Sequence, residues 1–193
     1  MCHALLQDPT FLTLLLRIDH EFAAQCRIDG CGCGGALHRS DYPRKPRGCP
    51  PSMHDAYSSR LSFCCAACRT RSTSLSVRFL GRRVYLALAV VLMSGSRTGS
   101  TATAALVGAE LGVSRQTLRR WQAWWTEQFP LTPLWRATCA RFMPPPDVLG
   151  FPGTLLERFT GSPAECLMRL LVFLSPVTLR SAGASAAQVF EGR

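Results

Sequence analysis

Between Phe11 and Phe22 the apolar residues Phe11, Leu14, Leu15, Ile18 and Phe22 recur every three or four positions, the spacing that lines one face of a helix. Asp8 supplies an N-cap oxygen and Pro9 a preset φ for the first turn, so the pattern predicts an amphipathic helix over 9–26. "DGCGCGG" (29–35) breaks it. From 36 to 63 the chain turns to proline, arginine and serine. "ALHRSDY" and "RLSF" there have the length of short strands, with "PRKPRGCPPS" as an extended loop between them.

Beyond residue 71, "STSLSVRFLGRRVYLALAVVLMSG" passes from β-like residues into an apolar helix near 81–94. "SRTGSTATA" predicts a loop, and 102–129 read as two helices around a tight turn. "FPLTPLW" and "MPPPD" punctuate the remainder, leaving short helices over 133–142, 153–160 and 163–175. The tail "SAGASAAQVFEGR" (181–193) is too small and polar to pack firmly and is expected to fray. The chain contains no internal repeat.

Composition narrows the class. Apolar residues make up 47% of the 193, enough for a real core. The net charge of +10 is unevenly spread: residues 1–38 carry −2, 39–83 carry +8 and 84–193 carry +4. A charge run is usually a solvated face, but this one coincides with clustered cysteines, which raises the case for a polyanionic partner. The N-terminus lacks a basic signal-peptide region, and the longest apolar run, "VYLALAVVLM" (84–93), is about half a bilayer span. The expectation is a cytoplasmic protein with no membrane partner, in which ten cysteines stay reduced and serve a metal before disulfides.

Zinc takes four soft ligands, usually as two close pairs on two turns. Cys31-Gly32-Cys33-Gly34-Gly35 has the glycines a knuckle needs, and Cys65-Ala66-Ala67-Cys68 is the second pair at the usual spacing. Cys64 competes with Cys65 for that pairing. Because Cys-x-Cys is shorter than the common spacing, His38, Cys26 or Cys49 are alternates that would complete the set. Thirty residues separate Cys33 from Cys64, room for a hairpin and hence for a zinc ribbon. A metal there would hold Arg69, Arg71 and Arg78 on a rigid platform. His3, His20 and His54 have no partner at ligand spacing and read as ordinary histidines.

"ALVGAELGVSRQTLRRWQAWW" (105–125) carries the more specific signal. Val107 and Leu111 share a face, Gly112 supplies the left-handed turn residue, Val113 plugs the core and Ser114 is an N-cap. Leu118 and Trp121 fall on the inner face of the next helix, which leaves Arg115, Gln116, Arg119 and Arg120 outward. This is the spacing of a DNA-binding helix-turn-helix, in which arginine pairs with guanine and glutamine with adenine. Trp121, Trp124 and Trp125 read as a stripe for the core or a subunit contact rather than a base-stacking platform. "YPRKPRG" (42–48), with Arg44, Lys45 and Arg47, invites comparison with minor-groove arms, but without the Gly-Arg-Pro centre of an AT-hook it points to general phosphate contact.

In this order, Cys31/Cys33 with Gly34-Gly35, "FCCAACRTRST", "GRRVYLALAVVLM" and "LGVSRQTLRRW" resemble the N-terminal region of bacterial insertion-sequence transposases, over roughly residues 28–129. The resemblance implies a zinc ribbon, an apolar helix and a helix-turn-helix that binds element ends. Such transposases cut with three carboxylates on a separate domain. Only 66 residues and four acids follow Glu127, so the implied role is a DNA-binding accessory or remnant, not the nuclease. The expected fold is mainly α with a small β zinc ribbon and a helix-turn-helix DNA-binding domain. Its expected parts are an N-terminal amphipathic helix (1–27), a basic zinc-ribbon-like module (28–80), an apolar helix plus helix-turn-helix (81–129), C-terminal helices (130–180) and a disordered tail (181–193). The expected partners are double-stranded DNA, a separate recombinase or transposase, and a second copy of the chain, all on the nucleoid. A stand-alone transcriptional regulator is the alternative function, and a thiol or iron–sulfur enzyme the remote one.

Overall fold

A computed structural model of the chain describes residues 2–80, 85–95 and 111–178, and all that follows concerns these. After a 3-10 turn at Cys2–Leu6, helix α1 spans Pro9–Asp29. Asp8 caps it as the sequence predicts, its carboxylate accepting the Thr10 N–H at 2.9 Å. The helix runs three residues further than expected and stops at Gly30, whose φ of +72° no other residue adopts cheaply.

Strands β1 (Leu37–Arg39), β2 (Tyr42–Pro43), β3 (Ser59–Arg60), β4 (Ser62–Cys65) and β5 (Arg71–Thr73) form two small antiparallel sheets. One is three-stranded with order β1-β4-β5; the other pairs β2 with β3. The predicted extended loop, 43–52, runs into a 3-10 turn at Pro51–Met53, and the short helix α2, His54–Tyr57, follows it. Ala23 of α1 packs with Leu61 and Phe63 into a small apolar cluster, so the sheet rests on the C-terminal half of α1.

The remaining helices are α3 (Ala87–Gly95), α4 (Arg115–Ala123), α5 (Pro133–Thr138), α6 (Gly153–Leu156) and α7 (Pro163–Leu174). The described part of the molecule is mainly helical with two small antiparallel sheets. Helix α3 is apolar on every side, and every residue from Ala87 to Ser94 is buried, which makes it the centre of the core. Phe11, Leu12 and Leu15 of α1, Trp121 and Trp125 beyond the turn, and Leu167, Leu170, Leu171 and Leu174 of α7 belong to the same hydrophobic cluster. Helix α7 opens with a capping box, Ser162 with Glu165.

The C-terminal helices are shorter than predicted. The one expected over 133–142 ends at Thr138 in a 3-10 turn, Cys139–Arg141, and the one expected over 153–160 ends at Leu156. Phe142 and Phe159 leave their helices to pack on Trp135 and Phe173, so aromatic packing overrides helical continuation. The predicted loop 96–104, the first helix of the helix-turn-helix and the tail 181–193 lie outside the described residues. Among those described, no helix is long and apolar enough to cross a membrane.

Candidate metal centre and nucleic-acid interface

Backbone register brings the two cysteine pairs together. Pairing Leu37 with Cys65, His38 with Cys64 and Arg39 with Phe63 places the turn before β1 beside the turn after β4. The Sγ atoms of Cys31, Cys33, Cys65 and Cys68 all lie within 4.8 Å of one another. Cys33 Sγ is 3.4 Å from Cys65 Sγ, and Cys31 Sγ is 3.5 Å from Cys68 Sγ. These separations exceed the roughly 2.05 Å of a disulfide and approach the ~3.8 Å edge of a sulfur tetrahedron with 2.3 Å metal bonds. The four thiols are close enough to hold a metal ion.

Both turns aim donors at these sulfurs. Hydrogen bonding from the Cys68 and Ala67 amides and from Cys33 holds Cys65 below the ordinary thiol range despite its burial. The Thr70 hydroxyl and amide, with Cys33 and Cys31, bring Cys68 down to about 6. The Cys33 amide pulls Cys31 the same way, but thiol–thiol hydrogen bonds to Cys33, Cys68 and Cys65 outweigh it and hold Cys31 at about 12. A cluster of thiols that share protons, with N–H groups favouring thiolate, is the donor chemistry a soft cation replaces.

Two backbone features missed at the sequence level complete the cradle. A Cβ on Gly35 would lie 2.6 Å from Cys65 Sγ and 2.8 Å from Ala67 Cβ, so the close approach of the two turns requires glycine. Arg69 adopts φ +60°, the left-handed conformation that turns the chain from Cys68 back into β5. Only the Gly34-Gly35 pair hinted at the first, and nothing in the sequence marks the second.

The alternates fall away for geometric reasons. Successive strand residues face opposite sides, so Cys64 and its partner His38 point away from the side on which Cys65 joins the cluster. Cys64 Sγ instead lies 3.6 Å from the Arg69 carbonyl. Cys26 sits against the small apolar cluster of α1, and Cys49 is buried in the main core.

The basic residues sort into two groups. Arg78, expected on the exposed platform, is instead 1% exposed: its Nε donates to Asp19 at 2.7 Å and its other nitrogens to the carbonyls of Ala56 and Ser59. Arg60, also buried, reaches the Ser74 and Leu75 carbonyls. Both are internal struts. Arg71 is exposed yet tied to Ser40 and Ser62, and its guanidinium stacks over Tyr42. Arg69, Lys45 and Arg47 are exposed, and Arg44 is half-buried over the Phe79 ring. The segment 42–48 is no free arm: Tyr42–Pro43 pairs with β3, Arg44 N–H donates to Ser58 O, and Leu86 N–H donates to Arg47 O.

Helix α4 has the predicted start. Gly112 takes φ +61°, and Ser114 Oγ accepts the Thr117 N–H at 3.2 Å. Tyr85 holds the turn from α3's side, donating its hydroxyl to Gly112 O at 3.1 Å while its ring meets Trp121 edge-on at 5.0 Å. Trp121 is buried, Leu118 half-buried, and Arg115, Gln116, Arg119 and Arg120 are all exposed. Beyond Ala123 a π-helical turn, Trp124–Gln128, swings Trp125 into full burial against Phe129. Compared with protein-family models, curated proteins and solved structures, the chain matches none of them.

Proposed function

We propose that this chain is a zinc-dependent, double-stranded DNA-binding protein of a mobile genetic element, an accessory or remnant acting beside a separate recombinase on the nucleoid. Helix α4 enters the major groove, where Arg115, Gln116, Arg119 and Arg120 meet base edges. The observation that carries this reading is the division of α4 into a buried inner face at Trp121 and an exposed face of three arginines and a glutamine, behind a Ser114 cap and a Gly112 turn. In the thiol cluster the role of zinc is structural. The ion ties the two turns of the sheet together and so supports Arg69 and the neighbouring basic loop.

Footprinting on genomic DNA, with protein of measured metal content, tests the proposal. About one zinc per chain and protected sites at the ends of mobile elements are expected. Affinity should fall steeply with salt as the free energy gained by releasing counterions shrinks. Protection confined to promoters would mark a stand-alone regulator instead, and no protection at any salt would overturn DNA binding.

A further inference from the structure

The basic loop and the turn leading into α4 face each other across an open groove of about 510 Å³, lined among others by Arg44, Lys45, Arg47, His54, Leu111 and Gly112. Residues separated by more than sixty positions thus share one wall-to-wall cleft. It has three cations and an imidazole and, among its described lining residues, no carboxylate. Such a cleft selects an oxyanion.

The walls are fixed. Cys49 N–H donates to Pro46 O at 3.1 Å, Leu86 N–H to Arg47 O at 3.0 Å, and Gly48, with φ +84°, lies so close to α3 that a Cβ would come within 3.2 Å of Ala89 Cβ. The Arg47 guanidinium lies over the Tyr85 ring at 5.8 Å. A ring occupies the flat face of a guanidinium, whereas an oxyanion is bound along its edge. The same Tyr85 hydroxyl holds Gly112, so one residue sets both walls.

Distance selects the anion. Gly112 precedes Arg115 by three residues, at most about 11 Å of chain. The major groove is about 12 Å wide, so a helix lying in it brings this cleft against a bordering strand. We infer that the cleft seats one backbone phosphate of the duplex whose major groove α4 enters, an inference that rests on the DNA-binding reading above. The loop and the helix then act as a single clamp in which the phosphate sets the register of α4.

Methylphosphonate scanning, which neutralises one phosphate at a time in a duplex selected by the full metal-loaded chain, tests it. At one position bordering the α4 contact, neutralisation should weaken the parent protein about tenfold and leave a Lys45→Ala/Arg47→Ala variant unaffected. Lys45→Glu alone, a change on an exposed side chain, should remove that penalty or turn it into a gain, since neutralisation then relieves a repulsion, with the fold intact. If every neutral position weakens parent and variants by equal factors, the cleft holds no phosphate even though DNA is bound. If the chain binds no duplex, the DNA-binding reading fails on its own, and titration with inorganic phosphate followed by NMR decides the cleft. Shifts at His54 and Gly112 that vanish in the double variant sustain an anion seat, and their absence overturns it.

Discussion

Gly35 occupies a place where a side chain would overlap the Cys65 sulfur, so its role is steric and not a matter of turn propensity. Gly35→Ala must push the two turns apart, and a loss of metal affinity of about 10- to 100-fold is expected, as for other residues that orient ligands. Competition with a colorimetric chelator measures it. A Cys65→Ser/Cys68→Ser double variant should bind no zinc, whereas Cys139→Ser and Cys166→Ser should keep the parent's content. Cys139 and Cys166 lie with their thiols near the Arg136 and Phe159 carbonyls, far in the chain from the cluster. Full zinc occupancy in the double variant would remove the metal assignment.

At the scale of the element, α4 separates holding from reading. Arg115→Ala, Gln116→Ala and Arg119→Ala remove exposed side chains, so each should cost about 1–3 kcal/mol on a selected duplex, much less on random DNA, and nothing in helicity. Trp121→Ala removes a buried ring in contact with Tyr85, and a loss of about 3–5 kcal/mol of stability is expected. Binding titrations on selected and scrambled duplexes, with circular dichroism alongside, distinguish the two. Parent-like affinity in all three surface variants would make α4 a bundle helix with solvated arginines. The strong periodicity of this segment made its start, cap and inner face legible beforehand. The π-helical turn after Ala123 was not, because it arises from the fit of Trp125 against Phe129.

Across the whole molecule, Asp19 joins parts that the sequence leaves unrelated. Its carboxylate, buried at the middle of α1, accepts from Ser76 Oγ at 2.6 Å, Val77 N–H at 2.7 Å and Arg78 Nε at 2.7 Å, with Arg60 3.9 Å away. Arg78 in turn bonds the carbonyls of Ala56 and Ser59, so one acid links α1, α2, the sheet and the approach to α3. Removing one partner of a buried pair strands the others without compensation. Asp19→Ala should therefore destabilise the protein by about 3–5 kcal/mol, while zinc content at low temperature stays unchanged. Urea unfolding followed by Trp fluorescence measures the loss, and a midpoint within error of the parent's would show that the two guanidiniums find other support.

By itself the sequence determined what depends on neighbours along the chain. The Asp8 and Ser114 caps, the Gly112 turn, the inward Trp121 and the two cysteine pairs are short-range patterns, each set by a few residues' own chemistry. The apolar run of α3 likewise had only one stable place, the centre of the core. Tertiary structure alone decided which of the arginines face water: Arg78 is buried because the fold brings it to Asp19 from far along the chain, whereas Arg69, on the turn after Cys68, is exposed. It also decided the choice of Cys65 over Cys64, since strand register, set by pairing with β1, selects which side chain turns toward Cys33. The cleft between residues 44–48 and 111–112 exists only because Tyr85 and Leu86 bind both segments, and contacts over such separations leave no periodic trace in a sequence.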